Sequence, residues 1–335
     1  MILNIPLNTM KTNPLLLWAL AAITLHAAFP GKAAETYLVV GAGGQRMFAS
    51  DGLAWEKHIS WGIPGHDQND LNVATFFKGA AFVGGGYSTA RLTATRDGAT
   101  WSEGALPKGG PIFGLEVLGD TLYAITLRGH VFKTTDGENF TPVGEAQMPT
   151  KTHWIRSTAA GNGIIVGSGD FGPALAFDPK TGKITITQMA GQTEKKATLR
   201  RVAFGGGMFV VGGQDGLLAA SKDGVTWQNN EAHPERGDIA SVVWTGKQFV
   251  ASSANGTLLS TDGVTWQPSA EKVPRVLRRV GAWIYGWSWP PYQIQRSKDG
   301  ARWEPVPNEK KHGAHNIAFG DLAGTGAPPK LPQKK

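Results

Sequence analysis

The sequence predicts an all-β protein: a seven-bladed β-propeller of four-stranded antiparallel blades, its ring closed by the C-terminal strand completing the first blade. Three observations carry this expectation. A turn of Ser or Thr, Asp-Gly and an aromatic recurs about every 40 residues. Each copy sits in the same order of short β-like runs. The first unit lacks a strand, and the C-terminus has one to spare.

The elements follow in chain order. Residues 1–34 read as a secretory signal peptide, with the start at Met1 or Met10. Lys11 opens a short basic stretch, Leu15 to Phe29 is nearly all apolar, and Gly31-Lys-Ala-Ala34 offers the small residues of a cleavage site. The 15-residue apolar run is short for a spanning helix, which needs roughly 20 residues. The mature chain is therefore expected to be secreted or periplasmic, with no membrane attachment after cleavage; an uncleaved anchor is the alternative.

The repeat unit appears as Thr95-Arg-Asp97-Gly98-Ala-Thr-Trp101, Thr134-Thr-Asp136-Gly137-Glu-Asn-Phe140, Ser221-Lys-Asp223-Gly224-Val-Thr-Trp227, Ser260-Thr-Asp262-Gly263-Val-Thr-Trp266 and Ser297-Lys-Asp299-Gly300-Ala-Arg-Trp303. Ala49-Ser-Asp51-Gly52-Leu-Ala-Trp55 is a weaker copy. The aspartates are separated by 46, 39, 87, 39 and 37 residues. The double-length gap hides one copy, expected at Asp178-Pro-Lys-Thr-Gly182, and the total becomes seven. Within a unit, Arg200–Phe204 reads as a strand, Gly205–Gly207 as its turn and Met208–Val211 as the return. Leu217–Ser221 is the third strand, and Trp227 opens the fourth. The Asp carboxylate suits backbone N–H groups two residues on, Gly supplies positive φ, and the Trp suits the seam between blades. These aspartates are structural. At the ends, His315-Asn-Ile-Ala-Phe319-Gly320 matches Arg200-Arg-Val-Ala-Phe204-Gly205, so Asn316–Phe319 should pair beside Tyr37–Val40. The propeller spans 35–321, and 322–335 is expected to be a Pro/Lys-rich disordered tail.

Composition excludes several classes. With 45 Gly but no three-residue period, collagen is out. The absence of Cys excludes a disulfide scaffold, thiolate chemistry and Cys-containing metal sites. The formal charge of +7 falls to +5 when Lys11 and Lys32 leave with the signal, and Lys330, Lys334 and Lys335 lie in the tail. No continuous basic stripe remains for nucleic acid. No cofactor and no metal is expected; adjacent His66 and Asp67 are a weak metal pair. Gly41–Gly44 and Gly84–Gly86 precede no helix that would cradle a phosphate, and there is no Gly-x-Ser-x-Gly elbow.

The repeats resemble the Asp-box, or BNR, repeats of the sialidase-like superfamily, and are similar to those of photosystem II stability/assembly factor-like propellers. The family pattern is Ser-x-Asp-x-Gly-x-Thr-Trp; here Asp and Gly are adjacent, so the turn is one residue shorter. The resemblance implies that first strands line a central channel and start at the face opposite the Asp-box turns. Counting nine residues back from the apolar anchor of the second strand then aligns Arg156, Arg200, Arg275 and His315, with Val73, Phe113 and Ala240 in the other blades. Converging guanidinium groups favour a carboxylate, sulfate or phosphate; the alternative is that each Arg serves a structural pairing. Arg201 and Arg278–Arg279 are expected to face the blades or rims. Loops of the same face carry Trp61, His66, Asp67, Tyr87, Trp154, Asp170, Phe171, Glu231, Glu235, Trp287, Trp289 and Tyr292.

The expected ligand-binding set is thus Arg156, Arg200, Arg275, His315, Trp154 and Tyr292, serving an anionic small molecule or an acidic glycan, without evident catalysis. A sialidase-like hydrolase or a polysaccharide lyase is the enzymatic alternative, with Tyr292 and Glu231 or Glu235 as a nucleophile pair that no spacing compels. The family's Phe/Tyr-Arg-Ile-Pro motif is absent, since blade one has Tyr37-Leu-Val-Val. A protein-binding assembly factor is the third reading. A monomer is expected.

Overall fold

The computed structural model describes residues 34–59, 70–151, 153–171, 173–187, 189, 198–229, 233–288, 293–307 and 313–333. The signal segment and Trp61, His66, Asp67, Glu231, Trp289 and Tyr292 lie outside them.

The described residues form seven antiparallel sheets. Blade one takes its inner strand from the C-terminus, Ala314–Leu322, followed outward by Ala34–Gly41, Arg46–Ala49 and Glu56–Ile59. The inner strands of blades two to seven are Leu71–Phe77, Ile112–Leu118, Ser157–Gly161, Leu199–Gly205, Ile239–Trp244 and Val276–Val280. The closing register is Tyr37↔Phe319, Leu38↔Ala318, Val39↔Ile317 and Val40↔Asn316. Blade five departs from the pattern: it has three strands, and its fourth is reduced to one bridge, Ala220↔Gln228.

The Asp-Gly turns form as their chemistry requires. In blade five, Ser221 Oγ donates to Asp223 Oδ1 and accepts from Gly224 N at 2.8 Å; Asp223 Oδ1 accepts from Val225 N and Thr226 N. Blades six and seven repeat this set. The hidden copy is a turn too, with Asp178 accepting from Lys180 N and Thr181 Oγ1.

Six of the seven turns are also joints. A Cβ on Gly224 would lie 2.5 Å from Val166 in blade four, and one on Gly263 2.6 Å from Val210 in blade five. Gly52, Gly98, Gly137 and Gly300 likewise abut the preceding blade, whereas Gly182 meets nothing within 4 Å. The copy that lost its aromatic is the one whose turn does not dock. The aromatics complete the seams. Trp266 is buried among residues of blades five and six, and Trp227 is half-buried between four and five. At the closing seam, Tyr285 Oη donates to Gly52 O at 2.9 Å, and Arg296 Nη1 to Asp51 O at 2.7 Å.

The stretch expected as a disordered tail is instead ordered as far as Gln333. It runs past Gly79 and Arg96, which accept from Ala323 N and Gly324 N, to the outer edge of blade two. There Ala105 N donates to Pro332 O at 2.8 Å, and Leu331 is buried in the cluster of blades two and three. The cause is the open edge of Ser102–Leu106: its free backbone groups and apolar flank take up the tail. Gly104 permits the approach, since a Cβ there would lie 2.4 Å from Pro332 O.

Candidate functional site

In every blade the first and third strands run in the same direction, and the Asp-Gly turn follows the third. The inner strands therefore start at the opposite face. At their starts the pairing breaks in a recurring way. The register slips by one residue at Asn72, Phe113, Arg200, Ala240 and His315, leaving each outside the ladder. Arg156 and Arg275 stand just before the first paired residues of their strands, Ser157 and Val276. A bulge of this kind re-aims side chains towards the strand's end.

These seven residues line one cavity of about 570 Å³. Arg156, Arg200, Arg275 and His315 are thus brought together from four blades. Blade two contributes Asn72 rather than Val73. Its hairpin places Ala81, not Phe82, opposite the residue equivalent to Phe204, so the count back begins one residue earlier. Val73 is buried in the core.

The arginines are held differently. Arg156 Nε donates to Asp170 Oδ2, and its guanidinium carbon lies 5.1 Å from the Trp154 ring centroid and 5.6 Å from that of Phe113. Trp154 therefore packs behind Arg156. Arg200 Nη2 lies 3.8 Å from Asp238 Oδ2. Both side chains keep about two-fifths of their exposure, 41% and 42%, so pairing leaves guanidinium edges open to the cavity. Arg275 is exposed and has no acidic partner among the described residues; its backbone N donates to Ser288 Oγ at 3.2 Å. The structural pairing thus covers two of the three arginines and leaves the third to solvent. His315 Nδ1 lies 3.2 Å from Leu71 O. Burial holds its imidazole below the ordinary value, against the opposing pull of Asp70, so it is neutral at pH 7. The charge of the mouth comes from the arginines.

Below the mouth the channel continues into a cavity of about 260 Å³, which shares Arg201, Val276, Trp287 and His315 with the upper one. Here the expectation for the second arginine set is corrected. Arg201 and Arg278 line the channel, and so does Arg279, whose guanidinium is engaged by Gly281 O and Thr245 O, to which it donates. Neither Arg201 nor Arg278 is wholly shut off from channel solvent, yet enough protein surrounds each to lower its pKa. Arg201 falls to about 10, through burial first and the nearby Arg278 second. Glu116 accepts from Thr158 Oγ1 at 2.6 Å in the same layer. Burial pushes its carboxyl upward, against Thr158 and Arg278.

The other loop candidates are distributed. Glu235 is exposed and bonded to His233 at 3.1 Å, and does not line the cavity. Tyr87 and Phe171 are exposed, whereas Trp287 is buried and lines both cavities. Tyr292 lies outside the described residues. Among the described residues no cluster of His, Asp or Glu could hold a metal ion.

No family model and no curated protein matches this chain, so the Asp-box resemblance has no support as family membership. Solved structures do match. Virginiamycin B lyase from Staphylococcus aureus, an inactive variant with quinupristin, superposes at a TM-score of 0.57 with 12% identity, over 78% of this chain and 94% of that one. YCF48 from Cyanidioschyzon merolae superposes at 0.53 with 18% identity, over 72% and 83%. YCF48 bound to D1 peptide gives 0.55 and 17%, over 84% and 94%. These likenesses establish the fold. At such identities a propeller shared by a lyase and YCF48 fixes no activity.

Proposed function

We propose that this protein is an exported binding propeller whose arginine-lined mouth holds an anionic ligand, an acidic glycan, without a chemical step. The observation that supports this is the recurrence of arginine at one position in three blades, with Arg275 left without an acidic partner among the described residues. Guanidinium forks at a concave site suit carboxylates, and Phe113 and Trp287 provide apolar wall. Catalysis is not part of the reading, because the cavity carboxylates are engaged: Asp170 and Asp238 by arginines, and Glu116 by Thr158. Export rests on the N-terminal segment.

A second reading takes a peptide as ligand, as the D1 peptide bound to YCF48 suggests, with acidic residues to suit the arginines of this mouth. A glycan array and a set of acidic peptides, presented to the purified mature protein with turnover assays on the hits, separates the two. Arg275→Ala is expected to weaken the bound class by about 1.5–3 kcal/mol, the range for charge-assisted hydrogen bonds. Unchanged affinity in that variant, or release of a cleaved product, overturns the reading.

A further inference from the structure

The two arginine layers of the channel lie at different depths. Arg278 stands three residues beyond Arg275 on the blade-seven inner strand, roughly 10 Å further in at about 3.3 Å per residue. Arg201 follows Arg200 directly across the bulge and lines both cavities, so it links the layers. Among the described residues, neither Arg201 nor Arg278 has a carboxylate within 4.0 Å, and neither guanidinium donates a hydrogen bond to the protein. Each keeps contact with channel solvent, but the protein around it removes part of its hydration and offers no acceptor in exchange, which an anion in the channel would supply. The one acid in the layer, Glu116, is turned to Thr158. With His315 neutral, the lower cavity is net positive whether Glu116 is ionised or not. A low-dielectric channel strengthens its field.

We propose that the ligand carries two anionic groups in line with the channel axis, the leading one seated between Arg201 and Arg278 and the trailing one held by the mouth arginines. This rests on the mouth reading above and adds the shape of what enters: the end of an acidic chain, inserted head first. Linking the two contacts makes the second intramolecular, so a doubly charged chain of matching length gains over a singly charged one.

The test uses linear dicarboxylates of increasing length (succinate, adipate, suberate, sebacate) against monocarboxylates of equal length, by calorimetry on the mature protein. Affinity is expected to peak at one dicarboxylate length, at least tenfold above the matching monocarboxylate. Arg201→Met and Arg278→Met, which keep an unbranched stem but remove the guanidinium and its charge, should reduce that dicarboxylate to monocarboxylate affinity. Arg201→Lys should fall between, since the charge stays and the fork is lost. Thermal melts confirm that each variant is folded, and the comparison is read only between ligands on one variant. If mono- and dicarboxylates bind alike and Arg275→Ala weakens both, the deep seat is wrong and the mouth stands. If the arginine-to-methionine variants keep the dicarboxylate preference, the deep seat is wrong as well. If no probe binds the parent protein, both fall.

Discussion

Replacing Gly224 by Ala isolates the contact between a turn and the blade before it. Gly224 has φ of +69°, and a Cβ there would sit 2.5 Å from Val166 Cγ2 and 3.1 Å from Ala176 Cβ. Gly182, in the turn that does not dock, has φ of +71° and open space around it. Both substitutions put alanine in the left-handed region, which costs about 1–2 kcal/mol. Only Gly224→Ala adds overpacking, typically about 1–3 kcal/mol in a filled core. Gly182→Ala should thus lose about 1–2 kcal/mol and Gly224→Ala about 2–5 kcal/mol. Urea unfolding followed by tryptophan fluorescence, with slopes compared to verify a common transition, gives both values. Val166→Ala should return part of the excess in the double variant, a positive coupling in the mutant cycle. Equal losses at Gly182 and Gly224, or no coupling with Val166, would refute the view that these turns hold blades together.

Three further outcomes are expected. Trp266→Ala should cost about 3–5 kcal/mol and Trp227→Ala less, because Trp227 keeps part of its exposure; equal melting shifts would contradict the seam assignment. Deleting residues 324–335 should cost about 2 kcal/mol through exposure of the Leu331 site, and an unchanged urea midpoint would show that the tail contributes nothing. Acid should act in two senses. Asp262 is held below the ordinary carboxylate range by the Thr265 N–H, with Val264 adding to it, and Asp299 by those of Arg302 and Ala301. Their contribution is complete above the ordinary Asp value and is lost as pH falls towards the depressed one, so melting temperature should drop below about pH 4. Glu116 has the opposite sign: its raised value means that ionisation costs stability as pH rises from the ordinary Glu value through the raised one. Glu116→Gln should therefore raise the melting temperature at pH 7, and a decrease would mean that attraction to Arg278 outweighs burial.

The fold was legible because a ring of near-identical blades repeats its turn chemistry seven times, and a missing strand at one end matched a surplus at the other. The mouth was legible for the same reason: register carries from blade to blade. What failed were places where local geometry departs from the repeat. Period-two alternation assigns Arg200 and Arg201 to opposite sides, but a bulge falls between Leu199 and Arg201, and both line the channel. A signal was present in the second strand. Gly212 and Gly213 stand opposite the bulge, and a Cβ on Gly213 would lie 2.6 Å from Thr198 O; paired glycines inside a strand mark such close approach. Arg278 had no comparable cue. The tail misled because Pro, Lys and Gly dominate it, whereas one Leu against an open sheet edge decides where it lies.

Building blade one from strands far apart in sequence ties the arginine-lined mouth to the order of synthesis. His315 is made after every other residue that lines the cavity, Arg156 and Arg200 included. The strand Ala34–Gly41 emerges first and must wait, its inner edge open, until Ala314–Leu322 arrives. Blades two to seven assemble from neighbouring sequence, with contacts of short separation that form early. The final step spans nearly the whole chain. A ribosome that stops short leaves an arc of blades without its seventh wall residue and without the seam at Gly52 and Tyr285. Only a chain that has reached Ala314–Leu322 can present the complete mouth.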